Sequence, residues 1–403
     1  MQEGHLTERK PGYLAFAAHP TLNFMLNRLA WEIDEARLFD IGARVATQVD
    51  FVRVVLDEAR RAEDDGRHRD AAFLYRGAEF FMAASHPDKE PAYERFMELF
   101  YEVTPDARAG RREVKFGSGS LGVIDLPALA EEKDVLLFCT GYDGVIEELC
   151  GRALRLRQAG YRVVLYEGPG QGCALRRSGL PMTPDWERPT STVLDALGVP
   201  SCTLLGISLG SFLAARAAAF DSRVRRLVCW GAIHDFAECV KRSMGEKRGG
   251  RVLQLVRWGW RRTVNRAVQR GMAADAGANW AVSHGMHVSG RIDPFGYLQW
   301  MLDFHLRDVA HQIAQDVLVV SSSDDHLVPR DQLRHLADAL VGARSVATRL
   351  TTAAEHAAEH CQIGNPDLVV DEILRWMAGL DRRDRLLAGA STGGGPSVTP
   401  LGR

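Results

Sequence analysis

The chain has 403 residues, 46% of them hydrophobic, with 50 Lys and Arg against 52 Asp and Glu. That length holds two domains or one large domain with insertions, and the composition supplies a sizeable core. A formal charge of −2 gives no overall reason to expect nucleic acid or a membrane as partner, and no run of eighteen apolar residues occurs. The seven cysteines include no CxxC pair, and several fall in predicted strands (Cys139, Cys202, Cys229), which suits buried reduced thiols better than a disulfide framework. With no basic segment followed by an apolar run near residue 1, a soluble cytoplasmic protein is the expectation.

In chain order, residues 1 to about 20 are mixed polar sequence with Pro11 and Pro20, expected to be a loose arm. From 22 to about 101 apolar residues recur at helical spacing, as in Phe51, Val54, Val55 and Ala59, with breaks at Asp64-Asp65-Gly66-Arg67 and Pro87-Asp88-Lys89. The aromatic cluster of Phe73, Tyr75, Phe80, Phe81, Tyr93, Phe96, Phe100 and Tyr101 reads as the core of this helical module and its dock onto the next domain. A pair of weaker runs, 112–116 and 119–124, suits leading antiparallel strands. Six apolar runs then alternate with helical segments, at 135–139, 162–166, 203–205, 226–230, 317–321 and 347–350. This alternation predicts a parallel sheet with crossover helices, its strands buried on both faces.

Between the fourth and fifth runs lies an insert, 235–311, with helical spacing. It carries Trp258, Trp260, Trp280 and Trp300, half of the eight tryptophans, and between 241 and 270 ten Lys and Arg against the single acid Glu246. Those cations are either a solvated helical face or a surface that docks an acidic partner. The expected layout is an N-terminal helical cap (1–110), a core (111–234 and 312–386), a helical lid insert (235–311) and a disordered tail (387–403). The fold class is α/β, with a mostly parallel, doubly wound sheet.

The chemistry centres on Gly206-Ile207-Ser208-Leu209-Gly210, which joins a short apolar strand to an alanine-rich helix. A GxSxG in that context predicts a sharp turn that exposes the Ser208 hydroxyl at a helix N-terminus. A serine hydroxyl needs a positioned base, and the base an acid. In the order Ser, Asp, His, the acid follows a late strand, where Asp325 is the candidate and Asp324 the alternate. The base follows the last strand, where His360 precedes Cys361-Gln362 and His356 is the alternate. Oxyanion donors are expected from the amides of Leu209 and Tyr142, the latter in Thr140-Gly141-Tyr142-Asp143-Gly144. Glu167-Gly168-Pro169-Gly170-Gln171-Gly172 is glycine-rich, but no GK[ST] follows and the spacing is not GxGxxG, so no nucleotide site is expected. With no HExxH and no carboxylate-rich loop, neither metal nor cofactor is expected.

Ala78-Glu79-Phe80-Phe81-Met82, Gly141 to Gly144 with Glu147-Glu148, the Glu167 to Gly172 loop, the Ser208 turn, Asp325 to Pro329 and His360-Cys361-Gln362 together carry a resemblance. Residues 22 to about 380 resemble an α/β-hydrolase with an N-terminal helical cap. That group includes 2,6-dihydroxypseudooxynicotine hydrolase, the FrsA-like esterases and the fungal polyketide-shortening hydrolases. Thr140 departs from the pattern, since many α/β-hydrolases have histidine before the oxyanion-loop glycine. The resemblance implies Ser208, Asp325 and His360 as the triad and a site between cap and sheet.

Three functions are therefore expected. One is hydrolysis of an ester, thioester or activated C–C (ketone) bond of a small acyl substrate through an acyl enzyme. A second is acyl transfer from an acidic acyl-carrier protein docked on the basic insert. The third is a non-catalytic binding module on a hydrolase scaffold. A homodimer through the helical module is compatible with the group.

Overall fold

The computed structural model describes residues 9–142 and 144–392. The eight residues before it and those after 392, which include most of the expected disordered tail, lie outside the described residues. Residues 9–19 are irregular but not loose. The Gly12 N–H donates to the Gly364 carbonyl at 2.8 Å, the Leu14 N–H to Asn27 Oδ1 at 2.8 Å, and Phe16 is buried. Pairing of backbone groups with distant partners holds this arm down where its polar composition predicted freedom.

Six helices come next: α1 (Pro20–Leu29), α2 (Glu35–Ala43), α3 (Gln48–Asp64), α4 (His68–Phe81), α5 (Lys89–Val103) and α6 (Pro105–Gly110). Each begins where local chemistry allows. Proline opens α1 and α6, the Asp34 carboxylate caps α2, and Thr47 and Asp50 form a reciprocal capping box on α3. The α3–α4 break turns on Gly66 at φ 74°. From Ala71 to Phe81 every residue of α4 is buried, so this helix is the axis of the module. Around it the predicted aromatic core forms, with the Phe73 ring edge-on to Phe96 and Phe100 at centroid distances of 6.0 and 6.1 Å.

An antiparallel hairpin, β1 (Arg111–Phe116) and β2 (Gly119–Leu126), leads into β3 (Asp134–Cys139), α7 (Cys150–Gln158), β4 (Tyr161–Tyr166), α8 (Gly172–Arg176) and α9 (Glu187–Ala196). Then come β5 (Cys202–Ile207), α10 (Gly210–Phe220), β6 (Val224–Trp230) and the inserted helices α11 (Phe236–Ser243), α12 (Glu246–Arg257), α13 (Arg261–Ala274), α14 (Ala276–Ser289) and α15 (Pro294–Met301). The chain closes with β7 (Asp316–Ser322), α16 (Asp331–Ala339), β8 (Ser345–Thr351) and α17 (Pro366–Thr392).

The sheet order is β1-β2-β4-β3-β5-β6-β7-β8, parallel from β4 to β8. All six predicted runs are strands. The last is not buried on both faces, however: as the edge strand, β8 alternates exposed and half-buried residues over most of its length. The closing helix also runs to Thr392, through residues 387–392 that the composition assigned to a disordered tail.

Alternate strand residues face two cores. Leu136, Phe138, Leu205 and Trp230 join α1–α5, while Leu137, Cys139, Leu204 and Cys229 join α9, α10 and the inserted helices. Trp280 of α14 ties the insert back to the N-terminal helices, its indole N–H on the Phe80 carbonyl at 2.9 Å. From β3 the chain moves outward to β4 and returns to β5 on the other side. The loops after β3 and β5 therefore flank a switch in strand order at the carboxyl edge of the sheet, where open α/β sheets build their sites.

Candidate active site

Leaving β5, the chain turns through Ser208 at φ 59°, a left-handed conformation that a side chain enters at a cost. The flanking glycines permit it by close approach. A Cβ at Gly206 would lie 1.9 Å from the Gly210 carbonyl oxygen, and one at Gly210 would lie 2.6 Å from that of Thr140. The turn leaves Ser208 half-buried at the start of α10, with its N–H on the Trp230 carbonyl at 2.8 Å.

Three residues far apart in sequence meet here. Ser208 Oγ lies 2.9 Å from His360 Nε2, and His360 Nδ1 lies 2.8 Å from Asp325 Oδ2. The other Asp325 oxygen accepts the N–H groups of Leu327 and Val328 at 2.8 and 2.9 Å. With Nδ1 donating to the carboxylate, Nε2 is the nitrogen left to accept the serine proton. The alternates are placed elsewhere: Asp324 is exposed and accepts the Ser323 hydroxyl at 2.8 Å, and His356 closes a short helical turn at φ 55°. Burial opposes charge on His360, yet Asp325 and Cys361 together outweigh it and hold the imidazole well above its usual range. Burial likewise works against the Asp325 charge, but His360 and the two amides hold that carboxyl below the ordinary range. A proton arriving on His360 is thereby stabilised.

The His360 loop is held from two sides. Cys361 and Gln362 both have positive φ, 55° and 49°. Trp230 donates its indole N–H to Gln362 Oε1 at 2.6 Å, and Trp31 of the N-terminal module donates to the Ile363 carbonyl at 2.7 Å.

Of the two expected oxyanion donors, the Leu209 N–H has no hydrogen-bond acceptor among the described residues. The loop after β3 lies against it: a Cβ on Gly141 would be 2.8 Å from Ser208 Cβ and 3.2 Å from Leu209 N. Tyr142 comes next, its hydroxyl 3.3 Å from that of Tyr297 and its ring against Phe236 and His284. The neighbouring Asp143 lies outside the described residues.

Sequence reasoning missed what positions this loop. Gln171 is buried, with Oε1 accepting the Gly168 N–H at 3.0 Å and Nε2 donating to the carbonyls of Thr140 at 2.9 Å and Gly141 at 2.7 Å. The glycine-rich stretch around it packs rather than cradles a ligand, since a Cβ on Gly168 would lie 2.2 Å from the Trp186 ring. Losing the Gln171 amide would leave two buried carbonyls unpaired. Gln171→Ala is therefore expected to lower kcat roughly 10- to 100-fold with little change in KM. Gln171→Glu, which keeps the size but loses the donor, should fall comparably in steady-state kinetics.

Two more neighbours were not foreseen. The Phe24 ring of α1 lies 4.9 Å from that of His326 and 6.1 Å from that of His360. His326 is exposed to solvent on its outer side, while desolvation on the side of the site, followed by the charge of His360, pushes its imidazole below the ordinary range. It is a neutral wall of the site at neutral pH.

Behind the Gln171 loop, Glu167 is fully buried. Its Oε2 accepts from the Cys173 thiol at 2.8 Å and the Cys173 N–H at 3.0 Å, while Oε1 has no partner among the described residues. Burial, followed by repulsion from Glu147, pushes its carboxyl up to about 7. Because the folded state holds this proton above the ordinary value of 4.5, the contribution of Glu167 to stability is full below that pH and is lost as pH rises through about 7. Glu167→Gln should flatten this part of the profile in urea unfolding measured between these limits.

Among the described residues no group of His, Cys, Asp and Glu is arranged to hold a metal, and no helix is long and apolar enough to cross a membrane.

Comparison with known proteins identifies the fold family. The chain is 31% identical over 226 residues to the hydrolase acrC of Aspergillus aculeatus, covering 52% of each protein. It is 31% identical over 266 residues to the hydrolyase poxO of Penicillium oxalicum, covering 60% of this chain and 62% of the other. It thus matches about half to three-fifths of the length of these curated relatives. Two solved structures share the fold: 2,6-dihydroxy-pseudo-oxynicotine hydrolase (TM-score 0.62, 18% identity, 87% of this chain and 94% of that one) and AbyA5 (TM-score 0.65, 19% identity, 91% and 97%). A family model described as the α/β hydrolase fold matches residues 134–358, from the first parallel strand to the threshold of His360, and the chain belongs to the α/β-hydrolase family.

Proposed function

We propose that this protein is a serine-nucleophile hydrolase that opens an ester, thioester or activated ketone of a small acyl substrate through an acyl enzyme. The observation that carries the reading is the relay from Ser208 through His360 to Asp325, set on a strained turn at the carboxyl edge of the sheet. Ser208 Oγ attacks the carbonyl carbon as its proton passes to His360 Nε2, and the amides of Leu209 and Tyr142 receive the oxyanion. His360 then gives that proton to the leaving group. Water, deprotonated by His360 in turn, attacks the acyl ester and frees the acid. For a C–C bond the leaving group is a carbanion, so the substrate must carry an adjacent carbonyl or comparable acceptor. The name of the relative acrC, a hydrolase, agrees with hydrolysis, and the aromatic rings of Phe24 and Tyr142 suit an apolar acyl chain or ring.

Acyl transfer is the second reading, favoured by one observation, the basic outer face of the inserted helices α12 and α13. Intact-protein mass spectrometry after incubation with activated aryl esters tests the proposal. A mass increase equal to the acyl group should appear on the wild type and not on Ser208→Ala. Labelling that persists in Ser208→Ala would overturn the assignment, and discharge of the adduct by added alcohol or thiol in preference to water would favour transfer.

A further inference from the structure

The hairpin of α12 and α13 carries an organised surface that the chemistry at Ser208 does not use. The two helices run antiparallel, and the Arg248 guanidinium of one reaches Gly271 near the end of the other. Their apolar residues, Val252, Leu253, Val256, Val264 and Val268, are turned inward and buried. The outer face is exposed and cationic. Arg262, Arg266 and Arg270 stand at intervals of four on α13, one stripe along its length, beside Lys247, Arg248 and Arg251 of α12.

None of these six has an ion pair among the described residues, in a chain that pairs most of its arginines. Their neighbours behave like the rest of the chain: Lys241 pairs with Glu238 and Glu246, and Arg261 with Asp293. Like charges four apart on a helix repel, so the stripe works against the isolated fold. At the tip, Gly259 turns at φ 75° between Trp258 and Trp260, which are 62% and 55% exposed with ring centroids 6.1 Å apart. Tryptophan and arginine are the side chains that most often dominate binding energy at protein interfaces.

We infer that this face docks an acidic carrier protein that presents the acyl group to Ser208 as a thioester. The inference rests on the serine reading and names the form in which its substrate arrives. Charge complementarity selects a carboxylate-rich partner. A bilayer fits less well, because helices that lie in a membrane interface turn their apolar faces outward, whereas here only the two tryptophans remain outside. The position is also suitable. α12 and α13 pack on α15, whose Tyr297 meets Tyr142 in the loop beside Ser208. In the reaction, the acyl carbon exchanges its C–S bond for a C–O bond to Ser208, and the departing thiolate takes the proton held on His360.

The test compares one acyl group on two carriers, a panel of purified, strongly acidic acyl-carrier proteins and the small thiol N-acetylcysteamine, with wild type and the triple variant Arg262→Glu, Arg266→Glu, Arg270→Glu. At low salt kcat/KM for the best protein thioester should exceed that for the small one by about 30-fold or more, and about 0.5 M salt should remove most of the difference. The triple variant should lose about 10-fold or more on the protein thioester and nothing on the small one. Equal rates with both donors, or a triple variant unchanged on both, would overturn the docking inference while leaving the serine chemistry intact. Failure of both thioesters to acylate Ser208 would instead remove the reading on which it rests. Wild type that binds phosphatidylglycerol vesicles through the same arginines, without a preference for the protein thioester, would assign the face to a lipid surface.

Discussion

Ser208→Ala is expected to lower turnover of an activated aryl ester by about 10⁴-fold or more, with binding of a non-hydrolysable analogue nearly unchanged. The residual rate would reflect the oxyanion donors and substrate positioning, which the substitution does not touch. Stability supplies a second readout specific to this turn. Alanine keeps a Cβ at φ 59°, so it retains the backbone strain of the wild type. Ser208→Gly removes it and should be more stable than Ser208→Ala by about 1 kcal/mol in denaturant unfolding, while equally inactive. A glycine variant no more stable than the alanine variant would show that the turn stores no strain.

The second large effect lies at the junction between the N-terminal helices and the sheet. Glu79 is 1% exposed, with Lys89 Nζ and Arg76 Nη1 each 2.6 Å from its carboxylate and Arg176 of α8 also bound to it. Lys89, 2% exposed, further donates to the carbonyls of Glu79 and Met82, both at 3.0 Å. Burial penalises the Glu79 charge, but the three cations outweigh burial and hold its carboxyl far below the ordinary range. Glu79→Gln strands buried cations and should cost about 3–5 kcal/mol in chemical unfolding. The double variant Glu79→Gln, Lys89→Met should recover part of that loss. The pH dependence has a definite sign. With its folded pKa depressed, Glu79 stabilises fully above about 4.5, the ordinary value, and the wild type should lose that contribution as pH falls below it while Glu79→Gln does not.

The parts of this architecture that were legible in the sequence share one property: their signal is local. Gly206 and Gly210 flank a serine between an apolar strand and an alanine-rich helix, a context that marks a sharp strand-to-helix turn. Asp325 and His360 were legible through their places after late strands, the first four residues before Pro329 and the second directly before Cys361-Gln362. What was not legible depends on partners distant in sequence. Gln171 carries no local mark of its bonds to Thr140 and Gly141, some thirty residues away. Phe24 was one apolar residue among many in a helix. The N-terminal arm looked loose because its polar composition says nothing of carbonyls waiting at Gly364. β8 read as buried because an edge strand of mixed residues resembles a central one over four positions. The last turns of α17 were lost to a composition argument that a helix already propagating from Pro366 overrides.

The loop that carries His360 is fastened at Ile363 by Trp31 and at Gly364 by the amide of Gly12. The imidazole proposed as general base is thus anchored to residues more than three hundred positions earlier in the chain, and an N-terminal layer that swung away would drag or release it. Together with the Glu79 cluster, this fastens the first hundred residues to the rest of the chain at two separate places. A shortened chain beginning after Trp31 should therefore lose activity through a displaced His360 imidazole even where the sheet still forms.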